Sequence, residues 1–307
     1  VPPSSFTRIG VAPGFKSAAD LAAAVEREYR DGNTFLEFRL DYLRDPVKGI
    51  DLITQLKRHH ADLYVLATCR HQANRGGFRG SLEQQLAILK DAAAAGASLI
   101  DLEIESAEPL KKELPALRET ASLIVSYHNF ENTPGLAAVW RRLLRVPADA
   151  YKLVTTVRKP GDNFRLAEFC RQKHQEAVVA FGMTDIGMPT RVLSVAGGCL
   201  FSYAAPIEGD GTASGQVLAR TLRHLYRVDK INRNTRVYGV IADPVSHSKS
   251  PQIHNRAFQA RRIDAVYLPF RVLSSYLGDW MKYASGLPVA GFSVTIPHKQ
   301  KIVHYLD

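Results

Sequence analysis

Short apolar runs alternate with longer amphipathic stretches through most of this chain. FTRIGVA, TFLEFRLDYL, YVLATCR, SLIDLEIE, SLIVSYHNF, AYKLVTTV, AVVAFGMTD and CLFSYAA have the length and apolar content of strands. Between them lie segments with apolar residues at helical spacing, such as SAADLAAAVEREYRDG and SLEQQLAILKDAAAAG. Both open on Ser with an acid or amide three residues on, a capping-box pattern, and both close on Gly. Eight strand-then-helix units fit within residues 1–230. That alternation requires parallel strands with helical crossovers, so we expect an α/β fold with a (β/α)8 TIM barrel there. A doubly wound open sheet is the rival. The polar stretch DKINRNTR (229–236) interrupts the pattern, which puts a second, smaller α/β module at 231–307. Its expected strands are VYGVIADPV, AVYLPFRV and AGFSVTIP; its helices are SPQIHNRAFQARR and YLGDWMKYASG.

Parity along the strands sharpens this expectation. In LEFRLD, Glu37, Arg39 and Asp41 share one face and Leu36, Phe38 and Leu40 the other. In SLIDLEIE, Asp101, Glu103 and Glu105 oppose Ile100, Leu102 and Ile104. A parallel strand that serves packing alone is apolar on both faces. Ionisable groups on a buried face are costly unless paired or at work. Several such strands side by side resemble the catalytic end of a barrel.

Composition narrows the class. With 307 residues, 46% hydrophobic and 23% charged, the chain is long and apolar enough to bury a large core without disulfides. No apolar run approaches the roughly 20 residues of a membrane helix, and VPPSSFTRIG has no signal-peptide pattern. Cys69, Cys170 and Cys199 lie far apart and form no CxxC pair, which fits a reducing compartment. The 40 basic and 30 acidic residues give +10, a balance that suits either nucleic acid or small carboxylates. The basic residues are scattered, in clusters such as RRLLR (141–145), without the aromatic-basic motif of an RNA-binding sheet. We read most of them as solvated helix faces and expect a small-molecule substrate, with neither nucleic acid nor membrane as partner. A homo-oligomer is compatible with the sequence.

Two residues carry the candidate chemistry. Lys152, in AYKLVTTV, shares parity with Val154 and so points into the barrel. Desolvation and nearby cations would make it an amine nucleophile, hence a Schiff-base lysine. The alternative is an end-of-strand lysine whose ammonium reaches solvent. His128 ends the preceding strand, and ends of adjacent strands meet in a barrel, so it can face the same substrate as an acid-base group. Glu37 is a candidate to orient its ring. Arg39, Arg70 and Arg191 fall at or beyond strand ends, as carboxylate clamps or as partners of Asp41, Asp101 or Glu103. EGDGTASGQ (208–216) has Ser214 where a dinucleotide loop needs its third glycine, so we expect no nucleotide there; Thr212 and Gln216 are candidate substrate contacts. In the second module, Ser250 before Pro251 also reads as a plain helix N-cap. No HExxH, GxSxG or P-loop occurs, and we expect no metal.

In order, EFRLD (37–41), TCR (68–70), SYHNF (126–130), YKLVTT (151–156), Arg191 and TASGQ (212–216) resemble type I 3-dehydroquinate dehydratase over nearly all of the first domain. YGVIADPVSHSKSPQIHN (238–255) and GFSVTIPHK (291–299) resemble the start of shikimate dehydrogenase. The order is that of the fused bifunctional enzyme of the shikimate pathway. The resemblance implies an imine between Lys152 and a substrate ketone, with His128 moving the proton beside it. It implies that Arg191 holds the substrate carboxylate, while Glu37, Arg39, Arg70, Thr212 and Gln216 line the site, with no cofactor for this step. For the second module it implies Ser248 and Ser250 at the shikimate carboxylate, Thr295 near the ring hydroxyls and Lys299 as catalytic lysine.

Two departures stand out. Arg75-Gly76-Gly77 replaces the family's common Glu-Gly-Gly, and we expect dehydration to survive this because the lysine and histidine remain. The NADP-binding domain of a complete shikimate dehydrogenase does not occur by Asp307, so we expect no dehydrogenase activity from this chain and read it as part of a longer protein. Bacterial cytoplasm or plastid stroma fits the cysteines. The alternatives are another class I Schiff-base barrel, such as an aldolase, or a ligand-binding protein with impaired catalysis.

Overall fold

A computed structural model describes residues 7–172, 174–207, 215–284 and 289–306. Its first part is built on eight strands: β1 (Ile9–Val11), β2 (Phe35–Arg39), β3 (Tyr64–Thr68), β4 (Leu99–Glu103), β5 (Ser122–Asn129), β6 (Ala150–Thr156), β7 (Ala177–Met183) and β8 (Ser202–Ala204). The hydrogen-bonded order is β7-β6-β5-β4-β3-β2-β1-β8, so β1 pairs in parallel with both β2 and β8. The seam of this nearly closed barrel lies between β7 and β8, where Leu200 N donates to Val178 O at 2.8 Å just ahead of β8.

Helices α1 (Ala18–Arg30), α2 (Pro46–His59), α3 (Leu82–Ala94), α4 (Ile104–Ala107), α5 (Leu114–Arg118), α6 (Leu136–Leu143), α7 (Pro160–Arg171) and α8 (Thr190–Gly197) connect the strands. A π-helical turn, Thr221–Leu225, follows the eighth strand. The expected caps are in place. Ser17 Oγ accepts from Asp20 N at 3.5 Å, and Ser81 and Gln84 form the reciprocal box that opens α3. Glu105 departs from the strand parity expected of it. It sits in α4, where it pairs with Arg142 at 2.9 Å.

The parity divides the core in two. Leu36, Phe38, Val65, Ala67, Ile100 and Leu102 pack outward with the helices. Phe35, Leu66, Leu99, Ile124, Ala150 and Phe201 fill the barrel interior, with Phe35 edge-on to Phe201 at 4.9 Å. Two residues further along three of these strands, on the same inner face, stand Glu37, Asp101 and Lys152, all buried. The interior therefore changes from apolar at the N-terminal ends of the strands to ionisable at the C-terminal ends.

The second part is a three-stranded parallel sheet of order β10-β9-β11, with β9 (Arg236–Ala242), β10 (Ala265–Arg271) and β11 (Val289–Val294). Helices α9 (Ser250–Ala260) and α10 (Leu277–Ala284) accompany it. It docks on α7 of the barrel. Trp280, wholly buried, lies 5.2 Å from Phe164, 4.7 Å from Phe270 and 5.3 Å from Phe292. Beside this aromatic contact, Gly161 N donates to Asp279 Oδ2 at 2.5 Å, and Arg271 meets Asp185 at 3.6 Å.

Candidate active site

A cavity at the C-terminal ends of the barrel strands is lined by Glu37, Arg39, Arg70, His128, Lys152, Tyr203 and Gln216, with Phe130, Val154, Phe181 and Met183 as apolar walls. Lys152 reaches it from the inner face of β6, between Ala150 and Val154, and is only 2% exposed. Its Nζ donates to the Tyr203 hydroxyl at 3.3 Å and forms an ion pair with Asp101. The lysine is therefore buried and paired, and does not reach solvent. Cations were the neighbours expected of Nζ from sequence, whereas the charge in contact with it is a carboxylate.

His128 lies on β5 opposite Val154, and Ser126 lies opposite Lys152. Imidazole and amine thus occupy successive inward positions of neighbouring strands. The ring stacks on Phe130, with centroids 6.0 Å apart and planes 15° apart. Burial, then the positive charges of Arg70, Lys152 and Arg39, hold the His128 pKa well below its ordinary value, so the ring is neutral. Its buried Nδ1 has no hydrogen-bond partner among the described residues. The expectation that Glu37 orients this ring is not met. The Glu37 carboxylate instead accepts from Thr68 Oγ1 at 2.6 Å.

The arginines divide by partner. Arg39 makes a two-point contact with Asp41, Nε to Oδ1 at 2.9 Å and Nη2 to Oδ2 at 2.7 Å, and lies 3.8 Å over the Tyr42 ring. Burial alone would lower its pKa, but Asp41 outweighs this and raises it. Arg70 presents a buried Nε with no hydrogen-bond partner among the described residues. Arg191 is wholly buried at the start of α8, outside the cavity lining, and donates to Gly215 O at 2.8 Å and Tyr203 O at 3.2 Å. Burial pulls its pKa down to about 9. It thereby braces the backbone that presents Gln216. Gly215 must be glycine, because its φ is +74° and a Cβ would collide with Thr184 O. Thr212 lies outside the described residues.

Arg75 holds a left-handed conformation, φ 57°, and its guanidinium lies 4.6 Å over the Phe130 ring. Arg75, Phe130 and His128 thus stand in sequence from the rim inward. Parity alone pointed to Asp101 and the inner wall. The partnership of Asp101 with Lys152, and the contribution of Tyr203, escaped the sequence because both depend on contacts across the barrel.

The second module is less assembled. Ser248 lines another cavity, between the modules, together with Gln216, Asp185, Val245 and Pro251. Its Oγ accepts from Ser250 N at 3.3 Å. Ser250 is the first residue of α9 and Lys249 its N-cap, with no capping bond from the Lys249 side chain, contrary to the reading of Ser250 as N-cap. Thr295 follows β11 and donates its backbone N–H to Ile241 O at 3.2 Å. Lys299 is exposed on the same loop, and neither Thr295 nor Lys299 lines the cavity of Ser248. Among the described residues, no three His, Cys, Asp or Glu side chains group as a metal centre, and no helix is long and apolar enough to cross a membrane.

Comparison with known proteins locates the chain among its relatives. Residues 11–233 match the type I 3-dehydroquinase family, and residues 240–307 match the shikimate dehydrogenase substrate binding domain. The chloroplastic bifunctional 3-dehydroquinate dehydratase/shikimate dehydrogenase of Arabidopsis thaliana is 32% identical over 280 residues, covering 90% of this chain and 46% of that protein. This chain therefore spans about half the length of that relative. The 3-dehydroquinate dehydratase of Dehalococcoides mccartyi is 34% identical over 200 residues, covering 64% of this chain and 86% of its own. The crystal structure of 3-dehydroquinate dehydratase from Geobacillus kaustophilus HTA426 matches with a TM-score of 0.65 at 21% identity, over 71% of this chain and 89% of that one. The last likeness establishes the fold.

Proposed function

Because the chain belongs to the type I 3-dehydroquinase family, we propose that its barrel dehydrates 3-dehydroquinate to 3-dehydroshikimate through an imine on Lys152. The observation that carries this reading is that a buried lysine and a neutral histidine line one cavity with two arginines. The lysine nitrogen attacks the substrate ketone and expels water, leaving an iminium that acidifies the adjacent carbon. His128, neutral and one pleat above, takes that proton and returns it to the departing hydroxyl, which leaves as a second water. Hydrolysis of the imine frees the product.

We assign the substrate carboxylate to Arg191 from the resemblance: its guanidinium lies behind the cavity wall, 4.9 Å over the Phe181 ring, so contact requires the Gly215–Gln216 backbone that it braces to shift aside. Arg39 and Arg70 supply positive potential on the other wall, and Glu37 and Gln216 are hydrogen-bonding groups for the ring hydroxyls. Thr212 is retained as a substrate contact from the resemblance. The step needs no cofactor.

For the second module we propose binding of the dehydroshikimate or shikimate ring, with Ser248 and Ser250 at the carboxylate, Thr295 at a hydroxyl and Lys299 as its acid-base lysine. Residues 231–307 contain no glycine-rich strand-to-helix loop of the kind that cradles a dinucleotide, so reduction with NADP is not assigned to them. The domain boundary at 230/231 remains part of this proposal.

Borohydride reduction in the presence of 3-dehydroquinate, followed by peptide mass mapping, tests the reading. A reduced adduct on Lys152 is expected. Binding without an adduct would favour a ligand-binding protein, and neither binding nor adduct would remove the dehydratase assignment.

A further inference from the structure

Asp101 is a group the reaction described above does not use. It stands on β4, two residues beyond Leu99 on the inner face, and is 0% exposed. Ser126 Oγ donates to its Oδ1 at 2.7 Å, and its Oδ2 is ion-paired with Lys152 Nζ. Burial acts to raise its pKa, but Lys152, Arg70 and the Ser126 hydroxyl outweigh this and hold it below the usual carboxylate range. A charge placed so deep persists only if its partner persists with it. Once Lys152 becomes a carbon-bound nitrogen, the partner has to be the iminium or a proton.

Building on the imine reading, we propose that Asp101 is a catalytic residue of imine formation: it accepts a proton from the Lys152 ammonium, donates it to the carbinolamine hydroxyl, and then serves as counter-ion to the iminium. The atoms balance. Lys152 starts as –NH3+ and ends as –NH+=C, losing two protons. One passes from the attacking nitrogen to the ketone oxygen as the C–N bond forms and the C=O π pair moves onto oxygen. The other travels through Asp101 to the same oxygen, which leaves as water while the nitrogen lone pair closes the C=N bond. Asp101 begins and ends ionised. The Tyr203 hydroxyl, on the other side of Nζ, fixes the amine without competing as a base, because burial and then the nearby Glu37 and Asp101 charges raise its pKa well above the ordinary phenol value.

The test uses the full chain, 3-dehydroquinate and its analogue deuterated beside the ketone. In Asp101→Asn we expect the borohydride-trappable adduct on Lys152 to form at least 100-fold more slowly. The deuterium isotope effect on kcat/KM should also fall toward 1, because imine formation replaces proton abstraction as the slow step. A merely structural role would leave that isotope effect unchanged. Ser126→Ala keeps the charge and removes one anchor, so a three- to tenfold slowing of adduct formation is expected in a variant that retains the ion pair. An unchanged adduct rate or isotope effect in Asp101→Asn would overturn the assignment; if that variant does not fold, an unchanged adduct rate in Ser126→Ala overturns it. If the unsubstituted chain itself traps no adduct, the imine reading and this proposal fall together. Trapping at an unchanged rate in the variants removes only Asp101.

Discussion

The barrel and the second module are both parallel α/β structures, and both place candidate residues at the C-terminal ends of strands. They differ in how those ends are arranged. In the barrel, strands from all sides converge, so Lys152 from β6, His128 from β5 and Tyr203 from β8 meet around one cavity. In the second module, three strand ends stand in a row. Ser248 follows β9 and lines the cavity between modules, while Lys299 follows β11 and is exposed. Closure of the sheet, more than the motif itself, concentrates functional groups and removes water from them. An open row of strands needs a covering surface to do the same, and apolar side chains such as Ile296, 72% exposed, lie uncovered along it.

Lys152 is where convergence in the barrel matters most. Lys152→Met should abolish dehydration, with a loss of more than about a thousandfold in kcat and no borohydride adduct, since no other lysine among the described residues lines the cavity. Residual turnover near the unsubstituted rate would mean that convergence in the barrel does not make the site. His128→Ala should cost about 100- to 10,000-fold in kcat while adduct formation survives, and the two rates measured side by side would separate the roles.

The histidine also carries a pH signature. With its pKa held well below the ordinary value of 6.5, the ring remains a neutral base as the pH falls through 6.5. The acid limb of kcat/KM should therefore have its midpoint below that value. A midpoint at or above 6.5 would show that burial and the surrounding cations do not hold the ring's pKa down. The same shift bears on stability. The unfolded chain takes up this proton near 6.5 and the folded one does not, so His128 lowers stability as the pH falls from 6.5 toward its folded pKa.

Trp280→Ala tests the junction. Removing a wholly buried indole that touches Phe164, Phe270 and Phe292 should cost about 3–5 kcal/mol. Calorimetry should then resolve a second-module transition separate from the barrel's; a single transition at the original temperature would argue against this contact as the coupling element. The smallest effect is expected at Arg75. Its exposed guanidinium over Phe130 is worth about 0.5–1 kcal/mol, so Arg75→Ala should change kcat less than about fivefold. A larger loss, measured at saturating substrate, would make the rim cation part of the chemistry.

Element order was readable because each strand announces itself locally. Phe35–Arg39 and Ala150–Thr156 are short apolar runs between helices, and α1 and α3 add Ser caps and a glycine just past their ends. Inner-face polarity was readable as well, since alternation in LEFR and LIDLE is a property of the strand alone; Asp41, expected on the same face, falls in a 3-10 turn, Leu40–Tyr42, just past β2. Glu105 shows where this stops: the alternation continues in sequence, but the backbone turns into α4 and carries the residue to the surface. Of the partnerships, only the local one between Arg39 and Asp41, two residues apart, was readable. Glu37 bonds Thr68 instead of His128, Lys152 pairs with Asp101 instead of facing cations, and Arg191 braces Gly215 and Tyr203. Each of these contacts joins different elements of the fold, which alternation within one element does not report.

The strand-helix alternation, the apolar and ionisable faces, and the identity of the lysine, histidine and arginines suited to chemistry are all legible along the chain. Periodicity and side-chain type are local, and these features needed nothing more. Which charges meet across the barrel follows from the fold in three dimensions. Barrel closure brings strands far apart in sequence within hydrogen-bonding reach, and the low dielectric of the interior then makes each pairing decisive. The same lysine would be an unremarkable surface cation if β6 were an open edge. Opposite Asp101 and beneath His128 it becomes a buried amine with a base beside it and another above.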